Sequence, residues 1–310
     1  MTSLFGYPIL LICLVILPLV LSGPYYIHTF ILTMLNIILA SSLRLINLSG
    51  QMSLAHGGMA TVGAYASTLL VMKLGFSSWA ALLCAGLFVA LVAALVGIPF
   101  VRLKGIYFSI VTIFFSEMVV LTAQQWESLT GGSGGIYNIP RPDKVPFFDF
   151  SAKVDFYYLA LFLMLLSLLV LLAVERSRIG LTFRGIRQTD SLAESIGIHT
   201  PGYKILAFTV GCFFAGVVGA FHSQYISAIS PDGFGFLFTI YILVYMTIGG
   251  AESFVGPVLG AIVLTILPEV ARGLKEYVPF IYAAVLIAVI FFMPDGLAGI
   301  PARMRRAVRR

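Results

Sequence analysis

Ten apolar runs follow one another along this 310-residue chain, most of them close to the length of a bilayer-crossing helix. They cover residues 6–21, 27–46, 54–72, 78–101, 105–123, 156–174, 204–229, 236–249, 254–271 and 280–293. A crossing helix takes about 20 mostly apolar residues. The chain is 60% hydrophobic and 10% charged, against about 25% charged in soluble domains. No single water-soluble core could hide so much apolar surface. The expected fold class is an all-α integral membrane protein with about ten transmembrane or re-entrant helices, forming one transmembrane domain over residues 1–310. Run 54–72 is rich in Gly and Ala, and runs 236–249 and 280–293 are short. Short or glycine-interrupted segments are candidates for re-entrant or broken helices. Run 6–21 lacks the basic flank of a signal peptide, because the first basic side chain is Arg44, so it reads as a retained span.

One long segment breaks this pattern. Residues 175–203 read ERSRIGLTFRGIRQTDSLAESIGIHTPGY, with four arginines, two glutamates and one aspartate between two apolar runs. With ten spans and this segment inside the cell, thirteen of the 19 basic residues fall on the inner side and six on the outer. Cytoplasmic loops concentrate Lys and Arg, so both termini and the polar segment are expected in the cytoplasm. The C-terminal ARMRRAVRR then reads as an orientation signal beside anionic lipid rather than a nucleic-acid tail. Within the segment, 180–188 and 191–196 read as two short helices. Ser191 and Glu194 have the spacing of a capping box, and Gly197 is a stop. Arg178, Arg184 and Arg187 offer charge-assisted contacts to carboxylates, and Phe183, Ile186, Leu192 and Ile196 offer apolar anchors. Two readings stay open, a docking handle for another protein or an amphipathic interfacial helix.

The other long loop, 124–155, is expected outside. Its LTGGSGGI has four glycines, but no Lys-Ser/Thr follows them and no strand precedes them, so it is not a phosphate-binding loop. No such loop occurs elsewhere in the chain. A plain turn and a docking or gating loop built on Thr130, Gly131, Gly132 and Ser133 remain alternatives. The three cysteines, Cys13, Cys84 and Cys212, lie inside apolar runs and have no metal spacing. No metal and no cofactor are expected on this chain.

Residues 50–65, GQMSLAHGGMATVGAY, place small side chains at Ser53, Gly57, Ala60 and Ala64, the spacing of close helix packing in membranes. Together with RLKGIYFSIVTIFFSEMV (102–119), LTGGSGGI (129–136), SRIGLTFRGIRQTDSLAESIGI (177–198), ISPDGF (229–234) and TIGGAESFVGPVLGA (247–261), they resemble, in order, the LivM-type permease subunits of branched-chain amino acid ABC importers. Three residues depart from that pattern: Ala55 for a glycine, Met59 for an aromatic residue, and Glu252 in a turn that is commonly small or neutral.

The resemblance implies a non-enzymatic transport subunit in a bacterial inner membrane. It implies a homologous second permease (LivH-like), two cytoplasmic ATP-binding subunits and an extracytoplasmic substrate-binding protein, with membrane lipid around it and no nucleic acid. It makes Arg178, Gly180, Phe183, Arg184, Arg187, Glu194 and Gly197 candidates for coupling to the ATPase. Candidates for the translocation pathway are Ser53, His56, Gly57, Glu117, Gly249 and Gly250.

Ionisable residues inside spans are few: Glu117, His222 and Glu269, with His56 at a span's start. Such residues are functional candidates. Glu117 either lines the pathway and attracts an ammonium group, or bonds a neighbouring Ser or Thr. His56 is either a gating group or a hydrogen-bonded packing residue. A second glycine-rich element, Gly249, Gly250, Gly256, Pro257 and Gly260, either mirrors residues 50–63 as part of an inverted repeat or serves tight packing. Other classes compete: an importer of urea, amides or other amino acids from the same family, an ion-coupled secondary transporter, and a membrane enzyme. Clustered charge pairs are missing for the secondary transporter, and metal-spaced or nucleophilic groups for the enzyme.

Overall fold

The structure is a computed structural model. It describes residues 23–144, 149–150, 152–270 and 296–299, with isolated positions at 14, 15, 17, 18, 277, 280, 284 and 287. The runs expected at 6–21 and 280–293, the basic C-terminal tail and the side chain of Glu269 lie outside the described residues.

Eight of the described helices form the body: α1 Pro24–Leu48, α2 His56–Leu74, α3 Ser78–Phe100, α4 Ile106–Gln125, α5 Lys153–Arg176, then α8 Thr200–Ile226, α9 Phe236–Gly249 and α10 Gly256–Val270. Between α5 and α8 lie two short helices, α6 Arg178–Gln188 and α7 Asp190–Ser195. Among the described residues six helical stretches are long and apolar enough to cross a membrane: α1, α3, α4, α5, α8 and Pro231–Gly249, which includes α9. Helix α2 is less apolar, as its Gly-Ala content foretold, and α10 is shorter.

The connections separate into two faces. On one, Ser78 Oγ donates to Arg141 O, Lys153 Nζ to Pro24 O and Gln124 Nε2 to Asp232 Oδ1. A two-residue antiparallel pairing, β1 Ile136–Tyr137 with β2 Ala228–Ile229, ties the glycine loop to the α8–α9 connection on this loop face. On the other, the handle face, the α1–α2 turn, α6, α7 and the α9–α10 turn meet. The chain therefore alternates between faces as hydropathy required.

The centre is α8, which packs on α2 and α3 and is mostly buried. It comes close to α2 because both carry small residues at the crossing. A Cβ on Gly63 would lie 2.3 Å from the Gly216 carbonyl oxygen, and one on Gly219 2.0 Å from that of Ala60. Close backbone approach of this kind replaces hydrophobic driving force inside a bilayer. The tight crossing uses Ala60 and Gly63, while Ser53 lies ahead of the helix.

The second glycine-rich element packs the same way. A Cβ on Gly249 would meet the Gly256 carbonyl, and one on Gly260 that of Tyr245. Of the two readings of this element, tight packing is the one seen, and an inverted relation to residues 50–63 is not. The Gly50 turn lies against Arg187, and the Ala251–Glu252 turn lies against Arg44 and Arg187. Both sit on the handle face and both join a descending helix to an ascending one, whereas inversion would put them on opposite faces.

Candidate functional site

Helix α2 begins inside the bundle, not at its surface. His56 Nε2 is 3.1 Å from Ser42 Oγ, six residues before the end of α1, or about 9 Å along that helix. Residues 49–55 thus run non-helically from the handle face, where Gly50 and Met52 are exposed, into the bundle. Such backbone is tolerated only where protein buries it and supplies its hydrogen bonds. Helix α4 does so with hydroxyls spaced along one face. Ser109 Oγ donates to Met52 O (2.6 Å), Leu54 N donates to Thr112 Oγ1 (3.0 Å), and Gly58 N donates to Ser116 Oγ (2.6 Å). From α9, Thr239 Oγ1 accepts from Gly57 N at 3.2 Å.

Four helices converge on this junction, and nothing in the sequence reading singled out Ser109, Thr112, Ser116 or Thr239. The signal was present as hydroxyls three and four residues apart inside an apolar run. Of the pathway candidates, Ser53, His56 and Gly57 are buried here. The Nδ1 of His56 has no partner among the described residues. Glu117 lies next to Ser116 but turns away, half-buried on the outer side of α4. Its Oε1 is buried without a hydrogen-bond partner, so that carboxyl oxygen has not found a neighbouring Ser or Thr. His222 packs edge-on against Phe234. Gly249 and Gly250 stand at the α9–α10 turn on the handle face, apart from this junction.

The handle face holds the second constellation. Arg44 Nη1 and Nη2 bond Glu175 Oε2 and Oε1 at 2.6 and 2.9 Å. The same guanidinium donates from Nε to Ala251 O at 2.9 Å and lies 5.8 Å from the Phe254 ring centre. Arg184 of α6 adds a second cation to Glu175 at 2.6 Å, and Arg187 pairs with Glu252. The unusual Glu252 is therefore held by the handle. One carboxylate and one guanidinium thus join α1, α5, α6 and the α9–α10 turn.

Helix α6 starts one residue after Ser177, whose Oγ accepts from Ile179 N. Gly180 is required by closeness, since a Cβ there would sit 2.1 Å from the Glu175 carbonyl. Phe183 and Ile186 are buried against the bundle, while Leu181, Leu192 and Ile196 are exposed, as is Arg178. The expected capping box is absent. Thr189 caps α7 without a side-chain bond, Ser191 lies in the first turn, and Glu194 instead accepts from Thr200 Oγ1 at 2.6 Å. Asp190 is drawn to Lys204, which starts the helix earlier. Gly197 ends it at φ +86°.

On the loop face Thr130 Oγ1 donates to Ala123 O and Trp126 O, both 2.6 Å. Gly131 and Gly132 take φ of +75° and +64°, and Ser133 is exposed at the tip. Among the described residues no group of three His, Cys, Asp or Glu could hold a metal ion.

Apolar helices crossing between two faces, a helix that begins inside the bundle and a polar helix pair clamped to one face define a multi-pass membrane protein of the transport class. The chain belongs to the family described as branched-chain amino acid transport system / permease component, which it matches over residues 25–294. It is 32% identical over 289 residues to the LivM high-affinity branched-chain amino acid transport permease of Escherichia coli K12, covering 86% of this chain and 68% of that protein. It is 25% identical to the LivH permease of the same organism over 275 residues, 81% of this chain and 87% of that protein. The BraD permease of Pseudomonas aeruginosa is 26% identical over 150 residues, 46% of this chain and 48% of that protein. No solved structure matches the chain.

Proposed function

We propose that the chain is the membrane-spanning subunit of an ATP-driven, binding-protein-dependent importer of branched-chain amino acids in a bacterial inner membrane. It pairs with a homologous second permease. ATP is hydrolysed on separate cytoplasmic subunits that grip α6 and α7. Substrate arrives from a binding protein at the loop face, where residues 129–136 and 229–234 are tied together.

The observation that carries this reading is the construction of the handle. Its inner side, Phe183 and Ile186, is fixed to the bundle, and Glu175 holds it through two arginines. Its outer side leaves Leu181, Leu192 and Ile196 uncovered. A rigidly held polar helix pair with an uncovered apolar edge suits a partner that pushes on it. Because Arg184 and Arg187 already hold the chain's own carboxylates, reversing their charge would disturb the handle itself. Leu192→Asp with Ile196→Asp is the cleaner test. The variant should reach the membrane at normal abundance but lose co-purification of the ATPase subunits. Undiminished co-purification would refute docking at this edge.

A further inference from the structure

Helix α4 is the least buried of the six candidate spans: 28% of its window is inside, against 83% for α1. Its inward face is one stripe, Phe108, Thr112, Ser116, Val120 and Ala123. Outward it presents Phe114, Met118 and Leu121, each more than half exposed. Glu117 stands among them half-buried, one carboxyl oxygen covered by the chain and unpartnered, beside a groove of about 620 Å³ that also takes in Gln125 and Trp126. Eleven residues into α4, Glu117 lies about 17 Å along the helix, near the middle of a hydrocarbon core about 30 Å thick. A carboxyl group facing lipid there is costly. The neighbouring outward helix α3 differs, having no charged residue in its 23 positions. One face suits lipid and the other does not.

We infer that the outer face of α4 is the wall against which the second permease closes the passage, and that Glu117 receives the ammonium group of the amino acid at mid-depth. The inference rests on the pairing proposed above. The similarity of this chain to both LivM and LivH supports a partner of the same helical pattern. Glu117 is adjacent in sequence to Ser116, which accepts from Gly58 N in the first turn of α2, inside the bundle. The passage wall and the junction at the start of α2 are therefore one element, as in transporters that bind substrate beside discontinuous helices.

The test has two arms. Photo-reactive benzoylphenylalanine replaces Phe114, Leu121 or, on α3, Leu91 in the complete importer. Adducts to the second permease are expected from positions 114 and 121 and not from 91. Lipid adducts alone at 114 and 121, or permease adducts from 91 only, would overturn the wall. In the second arm, Glu117→Gln should assemble with its partners yet lower leucine uptake by about tenfold or more, the loss of one charge-assisted hydrogen bond, while Glu117→Asp keeps measurable uptake. Uptake by Glu117→Gln within about twofold of the parent would remove Glu117 from the passage. The cross-linking arm needs no substrate. If the unmodified importer failed to carry leucine, the proposed substrate would fall while the adducts still decided the wall.

Discussion

Arg44 on α1 and Glu175 at the end of α5 form a two-pronged ion pair across 131 residues of sequence, and both side chains are almost fully buried. Arg184 makes the carboxylate shared between the bundle and the handle. Movement of α6 therefore reaches α1 and, through Arg44, the carbonyl of Ala251 at the α9–α10 turn. This is a short physical route from the handle to the helices that enclose the start of α2.

Removing Glu175 leaves Arg44 as a buried charge, and removing Arg44 leaves the buried carboxylate with Arg184 alone. Arg44→Met or Glu175→Gln should each cost about 3–5 kcal/mol, read as a fall in thermal unfolding midpoint in detergent. The double change Arg44→Met with Glu175→Met should recover much of the loss. If the double variant is as unstable as the sum of the singles, the pair is not coupled as described.

The exposed pair behaves differently. Arg187–Glu252 is open to solvent on its acidic side, and such pairs contribute about 0–1 kcal/mol. Glu252→Gln should leave the unfolding midpoint nearly unchanged. A loss matching that of Glu175→Gln would show that the pair supports the fold.

The α4 hydroxyls hold a non-helical segment that runs into the bundle. Thr112→Ala and Ser116→Ala each leave a backbone N–H without its acceptor and should cost about 1–3 kcal/mol. Thr122→Ala removes only a bond to Met118 O within the same helix and should cost less. Hydrogen exchange of the Leu54 and Gly58 amides should rise in the first two variants alone. Equal exchange in all three variants would contradict the role of these side chains.

The α2–α8 crossing has no room for a side chain at Gly63. Gly63→Val should force the helices apart and lower membrane abundance sharply, whereas Gly185→Val, at an open position, should not. Normal abundance for Gly63→Val would mean that the crossing is looser than described.

The alternation of apolar runs made the helical bundle legible, because a bilayer accepts few other structures. The polar pair of short helices was legible too, as charge between two apolar runs. Its boundaries were less so: α7 begins at Asp190, not Ser191, because Lys204 lies beyond the local pattern. The Arg44–Glu175 pair could not be read at all, for the partners are brought together only by the packing of α1 on α5. Ser109, Thr112 and Ser116 look neutral in an apolar run until the segment they cap is known. The two glycine elements left inversion and tight packing open by composition alone, and their shared face decides for packing.

The most direct measurement is leucine uptake into proteoliposomes holding the chain with its second permease and ATPase subunits, given a binding protein outside. Uptake should require both ATP at the nucleotide-binding subunits and the binding protein, and should be lost in Leu192→Asp with Ile196→Asp. Uptake driven by a proton gradient without ATP would contradict an ATP-driven importer.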